Sequence, residues 1–343
     1  MINLEDYDYF LLKEKIAQHP ENKRDWSKLM VITKNQIQHK KFYQITDEIE
    51  DGDVIVVNNS KVIAVNLKGK KKSGGRVECL FLREIEPEKK IWECLLKGRR
   101  LRPGIEIQFL NGQLKGSILN WKKFGQFLIE FTSESPIKDI LREHAAVILP
   151  PYVKAPQDDL NRYQTVYASI EGSIAAPTAG LHLTTELIEK IEKIGANFVT
   201  ITLHVGYSTF MPLNNELLSN YKMDPEYFSI SQPTIKKIQE CSDQNNHLIA
   251  VGTTTLKALE SATNNKGNIS RLNGWSDLFI APGYSFKSNI SRLVTNFHMP
   301  KSSPLLMVCA FAGRKHIFEA YKEAISKNYR FYSFGDAMLV DKE

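Results

Sequence analysis

From residue 61 to residue 132 apolar and polar positions alternate in short runs. Val62–Val65, Val77–Leu82, Ile91–Leu96, Ile105–Phe109 and Phe127–Phe131 are separated by turn formers such as Pro103-Gly104 and Asn111-Gly112. Period-two alternation broken by closely spaced turns predicts a small antiparallel sheet, closed as a barrel. Past residue 150 the period changes. Leu183-Thr184-Thr185-Glu186 supplies a capping hydroxyl and an acidic first turn, and Gly195 supplies a stop, so a helix is predicted between them. A buried-strand run, Phe198–Leu203, follows it. Next come a helix around residues 232–241, a strand Leu248–Val251, and a third helix after Gly252-Thr253-Thr254-Thr255. The segment Asp53–Val57 reads as a strand buried on both faces. Helices alternating with strands predict an α/β layer. The expected organisation is a discontinuous α/β main domain, residues 1–60 and 150–343, with a small antiparallel β-barrel domain, residues 61–149, inserted into it.

Composition changes this picture little. The 343 residues are 42% hydrophobic and 24% charged, an ordinary globular balance with enough chain for two cores. No apolar run approaches the roughly 18–20 residues that cross a bilayer. The acidic start Met-Ile-Asn-Leu-Glu-Asp-Tyr-Asp lacks a signal-peptide pattern, and the expectation is a cytoplasmic protein without a membrane partner. Cys79, Cys94, Cys241 and Cys309 are scattered with no close pair, which argues against a zinc or iron–sulfur site.

Charge adds one local feature. The net charge of +6 is mild, but Lys61, Lys68, Lys70, Lys71, Lys72 and Arg76 crowd one short region of the alternating segment. Lys97, Arg99, Arg100 and Arg102 crowd another, with Trp92 and Trp121 nearby. Either cluster alone reads as a solvated loop. Two in one small segment, beside tryptophans, point toward phosphate contact.

The chemistry gathers where strands end. Asn58-Asn59-Ser60, His204-Val205-Gly206, Gly252–Thr255 and Thr295-Asn296-Phe297-His298 each follow an apolar run. In open α/β sheets the crevice beyond the carboxyl ends of the strands is the ligand site. Gly-Thr-Thr-Thr at a helix start offers amides and hydroxyls to an anion, although neither a Walker loop nor a G-x-G-x-x-G fingerprint is present. The run Ser173-Ile174-Ala175-Ala176-Pro177-Thr178-Ala179-Gly180 is small enough for close approach of a ligand, and it ends on His182. His182, His204 and His298 share a setting of strand end or loop beside Gly, Pro and Thr. His19, His39, His144, His247 and His316 do not. Asp336, after a Gly turn, reads equally as a turn residue or as an acid–base group.

Longer motifs carry a resemblance. They include Gly52–Asn58, Gly75-Arg76-Val77-Glu78, Leu149-Pro150-Pro151-Tyr152, Arg162–Leu183, Thr202–Gly206, Gly274-Trp275-Ser276-Asp277, Pro282-Gly283-Tyr284, Thr295–Ser302 and Phe334–Leu339. In this order, over nearly the whole chain, they closely resemble the S-adenosylmethionine:tRNA ribosyltransferase-isomerases of queuosine biosynthesis. The resemblance implies an α/β domain paired with a β-barrel, and no metal or cofactor beyond S-adenosylmethionine as co-substrate. It implies transfer and isomerisation of the ribosyl group onto 7-aminomethyl-7-deazaguanine at the tRNA wobble position, with epoxyqueuosine-tRNA formed and adenine and methionine released. The partner implied is a tRNA with a GUN anticodon, met by a monomer. On this reading His182, His204, His298 and Asp336 converge on S-adenosylmethionine as the catalytic set, because a sulfonium acidifies the neighbouring carbon and a neutral imidazole or a carboxylate can deprotonate it. Arg162, Tyr163, Gln164, Pro177, Thr178, Gly180, Gly206, Thr253, Thr254, Asn296 and Lys301 are then substrate-binding. Lys70, Lys71, Lys72, Arg99 and Arg100 are RNA-binding.

The chain departs from the family pattern at four charged positions. Asn59 replaces an acidic residue, Asn66 and Met211 replace arginines, and Asp224 replaces a histidine two residues before Glu226. Two other readings therefore stay open: a paralogue that uses S-adenosylmethionine on another acceptor, and a non-catalytic RNA-binding protein. The intact Arg162–Leu183 and Thr295–Ser302 segments count against the second.

Overall fold

The computed structural model describes residues 2–122, 125–157, 159–207, 213 and 223–343. The chain forms two compact units, Met1–Lys61 with Pro150–Glu343, and Val62–Leu149. The first unit begins with strands β1 (Lys28–Ile32), β2 (Ile37–Lys41) and β3 (Val54–Asn58), and a short β4 (Ser60–Val62) leads out of it.

The second unit holds β5 (Asn66–Lys71), β6 (Arg76–Glu86), β7 (Ile91–Lys97), β8 (Glu106–Phe109), β9 (Leu114–Trp121) and β10 (Gln126–Ser133). They close into a barrel in the order β10-β7-β6-β5-β8-β9, every pair antiparallel. Alternation is the cause. Along β8 the exposed Glu106 and Gln108 alternate with the buried Ile107 and Phe109, so one face fills the interior. A Cβ on Gly69 would meet the Phe109 ring at 2.6 Å, so glycine there makes room for an interior aromatic. The α1 helix (Ile137–His144) buries Ile137, Ile140 and Leu141 along one face. One expectation fails here. Val62–Val65 is not a strand, because β4 stops at Val62 and Val65 instead donates to the Ala146 carbonyl.

The chain then returns to the first unit. Here lie β11 (Ile170–Ser173), α2 (Thr185–Lys193), β12 (Asn197–Leu203), β13 (Glu226–Ile230), α3 (Gln232–Asp243), β14 (Leu248–Val251), α4 (Thr253–Ala262), β15 (Asn273–Ser276), β16 (Arg292–Asn296), α5 (Ser303–Ala312), α6 (Arg314–Ser326) and β17 (Ala337–Asp341). Among the described residues nine strands form one sheet, β15-β13-β12-β3-β14-β16-β17-β1-β2. The central four, β12, β3, β14 and β16, are parallel, as expected for the α/β layer. β3 is buried along its whole length: Val54 and Val56 enter one core with Leu256, Leu293 and Phe311, while Ile55 and Val57 enter the other with Leu187 and Ile191. Each such side chain contributes about 1.5–3 kcal/mol of burial. The α2 helix starts and stops where predicted. Thr184 Oγ1 accepts the Leu187 amide, and Gly195 follows with a left-handed φ of 103°.

Strand direction decides where the polar residues meet. β17 runs antiparallel to β16 and parallel to β1. The starts of β17 and β1 therefore lie on the same edge as the ends of β12, β3, β14 and β16. Ser27 and Asp336 join Asn58, His204, Gly252 and Asn296 at that edge.

Candidate active site

A cavity of about 80 Å³ opens at this edge, walled by the Ala175–Ala179 loop, by Gly252–Thr254, and by Thr295–Met299. Helix α4 begins at Thr253 without a side-chain cap, so its first amides are available to a ligand. Asn58, fully buried, fixes the geometry from below. Its Oδ1 accepts the Ser60 and Leu203 amides at 3.1 and 2.9 Å, and its Nδ2 donates to the Leu203 carbonyl at 2.9 Å and to Thr254 Oγ1 at 3.4 Å. One amide thus ties β3, β12 and the start of α4 together.

Of the residues singled out in the sequence, Pro177, Thr178, Thr253, Thr254, Asn296 and His298 line the cavity. Arg162, Tyr163, Gln164, Gly180, Gly206, Lys301, His182, His204 and Asp336 do not. Gly180 has a packing reason: a Cβ there would meet the Tyr167 hydroxyl at 1.9 Å, so the space beside it is already filled. Tyr163 is core, edge-on to Phe334. The Arg162 guanidinium donates to the carbonyls of Glu21 and Asn22. Lys301 pairs with Glu5 and Asp8 at 2.6 and 2.8 Å, tying down the N-terminal segment. Tyr152 and Tyr332 also line the cavity and were not singled out, although Leu149-Pro150-Pro151-Tyr152 was a visible motif.

The three histidines occupy three environments rather than one. His182 is buried, stacked on Phe42 at 4.9 Å. Asn296 Nδ2 lies 3.1 Å from its Nε2 and 3.4 Å from the Asp336 carbonyl, and Asn296 Oδ1 accepts the Thr178 hydroxyl at 2.9 Å. An amide nitrogen only donates, so Nε2 is the acceptor and Nδ1–H donates to Ser27 Oγ at 2.8 Å. Burial first, then the Arg330 guanidinium, pushes this imidazole down to about 3, so it is neutral. His182 orients Asn296, which orients Thr178 at the cavity wall.

His204 is half-buried. Its Nδ1 lies 2.7 Å from Ser60 Oγ, which lies 2.6 Å from Ser173 Oγ, which accepts the Val205 amide at 2.9 Å. Directing each hydroxyl along this chain leaves no buried donor unused and makes Nδ1 the acceptor, with the proton on Nε2. Burial lowers its pKa as well. His298 alone among the three faces the cavity. Its Nε2 meets Thr295 Oγ1 at 2.8 Å, and burial pushes it down to about 3. Its backbone is held from behind: the amide donates to the Tyr321 hydroxyl at 2.8 Å, and the Tyr9 hydroxyl donates to its carbonyl.

Asp336 acts as a turn residue. Its two carboxylate oxygens each accept a backbone amide at 2.8 Å, from Lys28 and from Arg330. Burial raises the carboxyl, against those amides. Glu226 is likewise an organiser. Its Oε1 accepts the Gly206 amide at 2.7 Å, and its Oε2 meets Lys257 Nζ at 2.9 Å, with both side chains 3% exposed. At the departure Asn59, Oδ1 accepts the Thr202 hydroxyl at 2.7 Å, a bond that a carboxylate would also make. Asn66 pairs its backbone with Ala146, Asp224 is half-buried, and Met211 lies outside the described residues.

In the barrel unit the two basic clusters meet. Lys70 and Lys71 end β5 and Lys72 opens the turn to β6, and Lys71 Nζ donates to the Arg99 carbonyl at 2.7 Å, so Arg99 and Arg100 lie beside it. Lys72 pairs with Glu106. Trp92 is not part of this surface, being packed edge-on to Phe81 in the core, whereas Trp121 is exposed. Among the described residues no group of three or more His, Cys, Asp or Glu could hold a metal, and all four cysteines are buried thiols. No helix among them is long and apolar enough to cross a membrane.

Comparison with known proteins gives one consistent result. A family model described as queuosine biosynthesis protein matches residues 4–340. A protein of Desulforamulus reducens named S-adenosylmethionine:tRNA ribosyltransferase-isomerase is 43% identical over 343 residues, covering 99% of this chain and all of the relative. One of Thermoanaerobacter sp. with the same name is 44% identical, covering 97% and 98%. The crystal structure of an S-adenosylmethionine tRNA ribosyltransferase from Thermotoga maritima is similar at a TM-score of 0.54 and 33% identity, covering 97% of this chain and 99% of that one.

Proposed function

The chain belongs to the queuosine biosynthesis protein family, and from that membership we propose that it is an S-adenosylmethionine:tRNA ribosyltransferase-isomerase. It transfers and isomerises the ribosyl group of S-adenosylmethionine onto 7-aminomethyl-7-deazaguanine at the tRNA wobble position, releasing adenine and methionine. The acceptor is a tRNA with a GUN anticodon, the protein acts as a cytoplasmic monomer, and S-adenosylmethionine is its co-substrate with no further cofactor or metal.

The single observation that carries the site reading is the lining of the strand-edge cavity. Among the described residues it has no lysine, arginine or carboxylate, and His298 is its one imidazole. A sulfonium carries a fixed positive charge, so a wall of hydroxyls, carbonyls and the aromatic side chains of Tyr152 and Tyr332 suits it better than cations would. Loss of a proton from the carbon beside sulfur needs a neutral base within reach, and the depressed pKa of His298 keeps its imidazole neutral at physiological pH. His182 and His204 serve the site indirectly, through Asn296 and through the Ser60–Ser173 chain. The barrel's basic tip supplies phosphate contacts to the RNA.

Adenine release tests the reading. Purified protein incubated with S-adenosylmethionine and tRNA carrying 7-aminomethyl-7-deazaguanine should liberate adenine, and His298→Ala should slow it strongly. No adenine with that acceptor would sink the proposal. Adenine appearing only with another acceptor would establish the paralogue.

A further inference from the structure

One row of rings at the sheet edge has no part in the cavity. β15 is the outermost strand, and in its register with β13 Trp275 lies opposite Tyr227. Side chains opposite each other on an antiparallel pair share one face. The two rings meet edge to face at 5.6 Å and 67°. Tyr227 in turn stacks on His204, with centroids 6.0 Å apart and planes at 25°. The row therefore runs inward from Trp275, which is 52% exposed, through the half-buried Tyr227 to His204.

The inner end is polarised by its surroundings. Gly172 lies flat against the His204 ring, where a Cβ would come within 2.7–2.8 Å of three ring atoms. With Gly172 on the ring and Tyr227 stacked against it, the imidazole keeps its edge for polar contacts. Nδ1 is taken by Ser60, and Nε2–H has no hydrogen-bond partner among the described residues. On the opposite face of the same strand pair, the Arg271 guanidinium lies across Gly274 and over the Phe228 ring at 5.5 Å, away from the row. The row thus offers π-faces and one inward N–H donor for a base edge. Unpaired RNA bases are bound by that combination.

We propose that Trp275 and Tyr227 form the stacking platform for the acceptor nucleobase, with His204 Nε2–H meeting its edge. The inference rests on the RNA-acceptor reading above and adds to it where the base lies. A base that reacts must leave its stack, and a waiting aromatic face offsets part of that cost.

A two-by-two binding cycle tests it. Labelled anticodon stem-loop RNA, with guanine or an abasic sugar at the wobble position, is titrated with the native protein, Trp275→Ala and Trp275→Phe by fluorescence anisotropy. Loss of one base–aromatic stack should weaken the intact RNA roughly 5- to 150-fold. The abasic RNA should bind the native protein and Trp275→Ala alike, and Trp275→Phe should recover most of the intact-RNA affinity. In turnover the tRNA KM should rise in Trp275→Ala while the S-adenosylmethionine KM stays put. Equal losses with both RNAs, or no loss with either, would overturn the assignment. If the native protein binds the stem-loop but releases no adenine with tRNA, the reaction reading fails instead, and the cycle still reports on the platform.

Discussion

Replacing Glu226 with glutamine removes one charge from a pair that water barely reaches. Lys257 Nζ lies 2.9 Å from Glu226 Oε2, both side chains are 3% exposed, and Met223 Sδ lies 3.6 Å from the ammonium. The glutamine carbonyl can still accept the Gly206 amide, so the His204-Val205-Gly206 turn keeps its anchor. The ammonium does not keep its counter-charge. Breaking a buried pair from one side costs about 3–5 kcal/mol, whereas replacing both partners by neutral groups of similar size is often close to neutral. For a unit of this size each kcal/mol moves Tm by about 2–4 °C. Glu226→Gln should therefore lower the main transition by roughly 6–20 °C, and the double variant Glu226→Gln/Lys257→Met should recover most of that. Scanning calorimetry on the native protein, both single variants and the double variant measures the coupling directly. If the double variant were as unstable as the sum of the singles, Glu226 and Lys257 would not be an electrostatic unit.

Other outcomes follow from the same geometry. Because the buried His182 has its pKa pushed from 6.5 to about 3, the unfolded chain binds the extra proton between those values. Stability should be fully present above pH 6.5 and fall below it, by about 1.4 kcal/mol per pH unit from this group; subtracting the profile of His182→Gln isolates the term, and an unchanged slope would mean the imidazole is not held neutral. Asp336→Asn should cost about 1–3 kcal/mol, since an NH₂ would face a backbone amide that now has an acceptor, without moving the pH–rate profile. A shifted profile would restore an acid–base role. Neutralising Lys70, Lys71 and Lys72 should reduce the slope of log affinity for tRNA against log salt by about 0.7–0.9 per lost contact, and an unchanged slope would return those lysines to solvent.

Much of this fold could be read from local pattern. The apolar run Val54–Val57 marks a strand sandwiched between two cores, and Glu106-Ile107-Gln108-Phe109 marks a barrel wall, because in both the burial period is written in adjacent residues. The edge strands could not be read this way. Ile37–Lys41 and Asn273–Ser276 are polar or glycine-containing stretches whose pairing comes wholly from their partners. The site was legible as a set of strand ends, and six of the residues singled out there do share one cavity. Their division of labour was not legible. Asp336 takes its amides from Lys28 and Arg330, and His182 is anchored through Ser27 and Asn296, far away in sequence. Gly180 looked like room for a ligand because the Tyr167 hydroxyl that fills the space arrives only with the tertiary fold.

The position of β17 has a consequence for how the molecule is made. The strand Ala337–Asp341 does not border the sheet but lies inside it, between β16 and β1. On a ribosome, β1 is synthesised about 300 residues before the neighbour it must pair with, whereas the barrel's strands are consecutive or nearly so and can close while the rest is still being translated. Until Asp341 has emerged, β1 and β2 have no sheet to join, and Ser27 has no formed edge on which to meet His182. Assembly of the polar edge is thus coupled to the emergence of β17. A nascent molecule, or one clipped before β17, would carry a finished barrel and an unfinished polar edge.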